Sequence, residues 1–183
     1  DEYTSKSGRE YKFNNEQAYY FLESNGFYQF EDKNVKGGRI FIKIENNIVR
    51  QIEAKECKKY IQKFLQQRYL PIHLRNVIHR SNQLSEQSLE GLNEIDLDFT
   101  DYTKHTQWLF FENSVWEVTP EDIIEHRQDS VNKYVWEEEV IKHRVKRQDP
   151  LFNITRDEDG EYDIEIINSE SYFFRFLINS SRI

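Results

Sequence analysis

Apolar and polar positions alternate between residues 39 and 45, where Ile40, Ile42 and Ile44 interleave with Arg39, Phe41, Lys43 and Glu45. This period of two predicts a strand. Similar runs at 27–31 and 48–53 lie on either side, with Lys36-Gly37-Gly38 and Asn46-Asn47 as turns. A three-stranded antiparallel meander is expected. Ahead of it, Asn14 with Gln17 three residues on has the spacing of a helix cap. Ala18, Phe21 and Leu22 mark the apolar face, and Asn25-Gly26 supplies the stop, since glycine accepts a left-handed backbone. Residues 1–12 are polar and read as a flexible lead-in.

The period then lengthens. Over 54–68, Cys57, Tyr60, Ile61, Phe64 and Leu65 share one helix face, while Lys55, Lys59 and Lys63 recur at intervals of four on another side. Pro71 can open a second helix with Leu74, Val77 and Ile78 inward and Arg75 and Arg80 outward. A third is expected over 85–95, contacting through Leu84, Leu89 and Leu92. Three short helices in a row, the first two basic, are compatible with a helix-turn-helix, a pattern many helical segments share.

Strands return at 107–112, 115–119, 123–126, 134–146 and 162–167, with Asp157-Glu158-Asp159-Gly160 as the turn between the last two. In the first pair, Trp108, Leu109, Phe110 and Phe111 run unbroken, Glu112-Asn113-Ser114 interrupts, and Val115, Trp116 and Val118 follow. Apolar residues on both faces predict a hairpin buried on two sides, reversed with Asn113 in a left-handed conformation. Each buried ring removes roughly 150–250 Å² from water, so this hairpin is expected to anchor the core and to carry no chemistry. Its turn echoes Ile44-Glu45-Asn46-Asn47-Ile48-Val49, a match too short to define a repeat. A last helix from about Glu170 places Phe173, Phe176 and Leu177 together. The expected fold is α+β: an antiparallel meander with helices, a helical middle segment, and a second, mostly antiparallel β half. Two subdomains sharing one core are expected at 13–100 and 101–183.

Composition changes the picture in three respects. Among the 183 residues, 37% hydrophobic and 32% charged alone would suggest disorder, but 15% aromatic with six Gly and three Pro indicates a folded chain. The single Cys57 rules out an internal disulfide framework and fits a reducing compartment. No apolar run approaches the roughly 20 residues of a membrane span, and Asp1-Glu2-Tyr3 does not resemble a signal peptide. A cytoplasmic location without a membrane partner is expected. Methionine is absent even at position 1, and the last helix has no stop signal, so a piece of a longer chain is expected.

The net charge of −8 is unevenly spread. Between 54 and 80, Lys55, Lys58, Lys59, Lys63, Arg68, Arg75 and Arg80 face only Glu56, a local balance of +6. Directly downstream, Glu86, Glu90, Glu94, Asp96, Asp98 and Asp101 occur without Lys or Arg. The basic residues can follow a phosphate backbone. Two plainer readings compete: a solvated helix face, or pairing with the acidic stretch in the same molecule.

Several segments together resemble a known family. They are Phe21-Leu22-Glu23-Ser24-Asn25-Gly26-Phe27-Tyr28, Ile44-Glu45-Asn46-Asn47-Ile48-Val49, Trp108-Leu109-Phe110-Phe111-Glu112-Asn113-Ser114-Val115, Tyr134-Val135-Trp136 with Ile141-Lys142-His143-Arg144, and Phe176-Leu177-Ile178-Asn179-Ser180-Ser181-Arg182. The chain resembles the phage- and plasmid-type primase–helicases of bacterial mobile elements, in the region just before their superfamily-three helicase domain. The resemblance covers about 13–183. It implies a parent protein that drives DNA replication with ATP and Mg²⁺, and it implies the helicase and primase domains as partners, with DNA as a further one. The family's phosphate loop, GxxxxGK[ST], matches none of the six glycines here. The segment is therefore expected to be a non-catalytic accessory module without a cofactor of its own. Either it assists DNA engagement by the adjoining helicase, or it links primase and helicase, or subunits, without touching DNA.

Candidate chemistry is sparse. Asp96-Leu97-Asp98 has the spacing of an acidic metal-binding pair, but two carboxylates two apart are common by chance, and a solvated acidic linker is the favoured reading. His73, His79, His105, His126 and His143 show no zinc spacing, and Cys57 lies on an apolar helix face, where it is expected to be inert packing.

Overall fold

The computed structural model describes residues 2–5, 8–32, 38–168 and 170–181. The chain forms two compact units, Asp1–Val145 and Lys146–Ile183. In the first, β1 (Glu2–Ser5) and β2 (Gly8–Tyr11) pair antiparallel, so the expected lead-in contains a hairpin. Helix α1 (Asn15–Glu23) follows, capped as expected: the Asn14 side chain accepts the Gln17 N–H at 3.1 Å. Gly26 ends the turn after it at φ +84, with its carbonyl accepting the Ile44 N–H at 2.8 Å.

Strands β3 (Phe27–Glu31), β4 (Arg39–Glu45) and β5 (Ile48–Ile52) make the predicted antiparallel meander. Lys36 and Gly37 of the expected first turn lie outside the described residues. The second turn uses Asn46 and Asn47 at φ +51 and +67, the left-handed pair that a two-residue hairpin loop demands. Then come α2 (Ala54–Gln67), α3 (Ile72–Arg80) and the single turn α4 (Glu86–Leu89). The third helix expected over 85–95 stops there. Gly91 and the residues after it leave the helix to bridge β3: Gln29 donates its N–H to Asn93 O and accepts from Ile95 N–H, both at 3.0 Å.

Strands β6 (Gln107–Phe110), β7 (Val115–Val118) and β8 (Ile123–His126) form a separate antiparallel sheet. The strand expected over 134–146 shrinks to β9 (Val135–Trp136), which runs parallel to β5 and is followed by a 3₁₀ turn at Glu137–Glu139. The principal sheet is thus ordered β3-β4-β5-β9.

Both faces of that sheet are covered. Leu22, Phe27, Ile52, Cys57, Ile61, Leu65, Leu89 and Leu92 join α1, α2 and α4 to one face, where Phe41 also packs. On the other, Ile40, Ile42 and Val49 meet Leu97. Leu97 and β9 therefore close the first subdomain with residues expected in or next to the second, which is why the compact unit runs past 100/101 to Val145. The aromatic hairpin has a smaller part than expected. Phe110, Phe111 and Val115 are buried, whereas Trp108, Leu109, Trp116 and Val118 remain half-buried. The larger core is built around α1 and α2. Asn113 is not left-handed; its side chain instead accepts from Val145 N–H and donates to Val145 O, each at 2.8 Å.

In the second unit, β10 (Phe152–Arg156) and β11 (Tyr162–Ile166) are antiparallel, joined by the Asp157–Gly160 turn with Gly160 at φ +88. Helix α5 (Tyr172–Ser181) buries Phe174, which stacks on Phe152 at 5.1 Å. Of the residues expected to form its apolar face, Phe176 and Leu177 are exposed, and the Phe173 side chain lies outside the described residues.

Candidate nucleic-acid interface

Helices α2 and α3 fold back on each other as an antiparallel hairpin. Their apolar stripes, with Cys57, Ile61 and Leu65 from one and Ile78 from the other, close the core and leave the polar faces outward. Glu53 and Glu56 form a reciprocal cap at the start of α2. Backbone hydrogen bonding to Glu53 holds the Glu56 carboxyl below its ordinary range, aided by Arg50 at 3.0 Å.

The seven predicted cations divide into distinct groups. Lys55 is exposed but ion-paired to Glu53, whose hydrogen bond raises the amine above its ordinary pKa. Lys58 is turned across the hairpin and donates to the Ser81 carbonyl at 2.8 Å, tying α2 to the end of α3. Lys59 and Lys63 are exposed, with no carboxylate among the described residues paired to either. Arg68 lies over the Phe64 ring, its guanidinium carbon 4.3 Å from the ring centroid. Arg80 is exposed at the last turn of α3.

Arg75 was expected to point outward, yet it is half-buried. It lines a cleft of about 420 Å³ between the two helices, together with Gln62, Gln66, Ile72, Asn76 and His79. Gln62 and His79 meet across it at 3.3 Å. Arg75 Nε is buried and has no hydrogen-bond partner among the described residues. The cleft has no carboxylate in its lining, where Gln62, Gln66, Asn76 and His79 are the polar residues beside Arg75. A phosphate is the natural guest for such a fork.

Sequence reasoning missed Tyr69. It links the two helices at φ +53 and is 94% exposed. A bulky residue in the left-handed region is an outlier that costs on the order of 1–3 kcal/mol. The helix signal ending at Arg68 and the proline at 71 marked a short link, but neither indicated which residue would carry positive φ. The polar lining at Gln62, Gln66 and His79 was legible only as the edge of an amphipathic helix.

The acidic stretch pairs elsewhere. Arg39 lies 3.7 Å from Glu94, and Lys133 reaches Asp98. The Lys133 ammonium and the Thr100 N–H at 2.8 Å depress the Asp98 carboxyl to about 2. Asp96 is exposed on the same edge, with Leu97 between them turned into the core. No group of three His, Cys, Asp or Glu able to hold a metal occurs among the described residues. The remaining nucleophile candidate, Cys57, is fully buried, and burial pushes its thiol up to about 12, which leaves it protonated at neutral pH. No helix among the described residues is long and apolar enough to cross a membrane.

Comparisons with protein-family models, curated proteins and solved structures found no match to this chain.

Proposed function

We propose that the chain is a non-catalytic accessory module of a mobile-element DNA replication primase–helicase, and that its α2–α3 hairpin helps the adjoining helicase to engage DNA. The observation that carries this reading is the cleft between the two helices, whose lining holds Arg75 and no carboxylate. Exposed Lys59 and Lys63 stand on the same helix as Gln62 and Gln66, so successive phosphates can be met by an ammonium, a guanidinium and side-chain amides. Tyr69 at the hairpin link offers a bare ring on which an unpaired base can stack. The sequence resemblance supplies the biological setting, with helicase and primase domains as partners and ATP and Mg²⁺ belonging to the motor.

Fluorescence anisotropy with labelled single- and double-stranded oligonucleotides tests this reading across a salt series. Binding is expected to be weak and salt-sensitive. The triple substitution Lys55→Glu/Lys59→Glu/Lys63→Glu should abolish it, and Lys59→Glu/Lys63→Glu should account for nearly all of that loss, because Lys55 is already paired. Each lost phosphate contact should lower the slope of log K against log salt by about 0.7–0.9. Unchanged binding in the triple variant would refute the proposal.

A further inference from the structure

A second cleft, of about 740 Å³, opens on the far face of the principal sheet from α2. Three half-buried rings form its wall. Phe99 and Trp136 are stacked with centroids 4.9 Å apart and planes 9° apart, and Phe30 meets both edge-on at 5.5 and 5.9 Å. The rim is acidic: Glu31, Asp32, Glu94 and Asp96 all line it. Glu94 already has Arg39 at 3.7 Å. The carboxylates of Glu31 and Asp96, both exposed, have no hydrogen-bond or ion-pair partner among the described residues. Asp98 lies just outside and is taken by Lys133.

We propose that this cleft receives an arginine side chain from a basic segment of a partner protein, separately from the DNA surface. Aromatic faces attract cations, and a guanidinium also stacks on them through its plane. The same group can bridge two carboxylates with its fork of N–H donors, which a compact ammonium cannot do. The ring wall therefore selects for a flat cation, and Glu31 and Asp96 supply its counter-charge. The volume exceeds what one side chain fills, so two or three residues of an extended segment enter with it. Nucleic acid is excluded by the same rim, since its phosphates would face the carboxylates.

The test uses the whole chain and an acetylated, amidated Gly-Arg-Gly-Arg-Gly peptide, followed by calorimetry and by the indole N–H resonance of Trp136, assigned with a Trp136→Phe reference. The peptide is expected to bind and to shift that resonance. Glu31→Gln/Asp96→Asn should weaken binding about tenfold or more, and the lysine analogue of the peptide should bind several-fold more weakly. Both substituted carboxylates are exposed, and circular dichroism would establish that the variant is folded. An unshifted Trp136, equal affinity in the variant, or equal affinity for the lysine peptide would overturn the proposal. So would light scattering that shows a self-associated chain, dissociated by the two substitutions and untouched by the peptide, since the occupant would then be a second copy. DNA binding should be unchanged in Glu31→Gln/Asp96→Asn, so this site and the α2–α3 surface stand or fall separately.

Discussion

Asp98 illustrates how one residue's partners set its behaviour with pH. Its carboxyl lies near 2, below its ordinary 3.8, because Lys133 and the Thr100 N–H favour the charged form. A depressed folded-state value contributes stability above the unfolded value, and that contribution is lost as pH falls through the folded one. Asp98→Asn should therefore lower the melting temperature by a constant amount over about pH 5–8, and the difference should close between about pH 4 and 2. Melting curves of both proteins over that range would check it. Gly26 is a second case. A Cβ there would sit 2.2 Å from the Ile44 carbonyl oxygen, and φ is +84. Gly26→Ala should cost about 2–4 kcal/mol in urea unfolding. Its role was legible from the Asn25-Gly26 pair alone, because only the local backbone had to be inferred. The inward turn of Arg75 was not, since it depends on how α3 leans against α2.

At the scale of elements, the meander, α1, α2 and α3 could be read almost to the residue. Alternation and amphipathic spacing are local signals, and each of these elements carries its own. The shortening of α4 and β9 could not be read in this way. Residues 90–95 look helical until β3 offers them backbone partners, and residues 137–146 look like a strand but make only scattered contacts past Trp136: Ile141 N–H donates to Phe110 O at 2.8 Å and Glu112 N–H to His143 O at 3.3 Å. The two echoed turns also align differently in space than in sequence. Asn113 occupies the place of Asn47, with Val115 matching Val49, each of these valines being fully buried. Both asparagines hold a later stretch of chain against their own hairpin. Asn47 donates to Val131 O at 2.6 Å and Lys133 O at 2.9 Å, while Val135 N–H donates to Asn47 O at 3.1 Å. Asn47→Gly keeps the left-handed turn but removes the side-chain amide. It should cost about 1–3 kcal/mol, read from the urea midpoint, because two carbonyls lose their donor. Asn47→Ala should cost more, as the backbone is then strained as well.

On the scale of the molecule, the α+β class was legible, but the boundary between units was not. Charge and periodicity change near residue 100, whereas the units divide after Val145. Nothing local announces that Leu97 will complete one face of the sheet or that β9 will pair with β5. A chain ending at Lys146 should therefore fold alone and unfold in one cooperative transition at the denaturant midpoint of the corresponding transition in the full chain, as followed by near-ultraviolet circular dichroism. A chain ending at residue 100 should lack that transition.

The parallel pairing of β5 with β9 has a further consequence on the ribosome. The residues that Asn47 grips begin at Val131, 84 positions downstream. At ~5–20 residues per second, the nascent hairpin spends roughly 4–17 s with one border bare. An open row of amides and carbonyls beside Val49 is a template for intermolecular strand addition. Crowded polysomes, more than the finished protein, are where aggregation of this chain should begin.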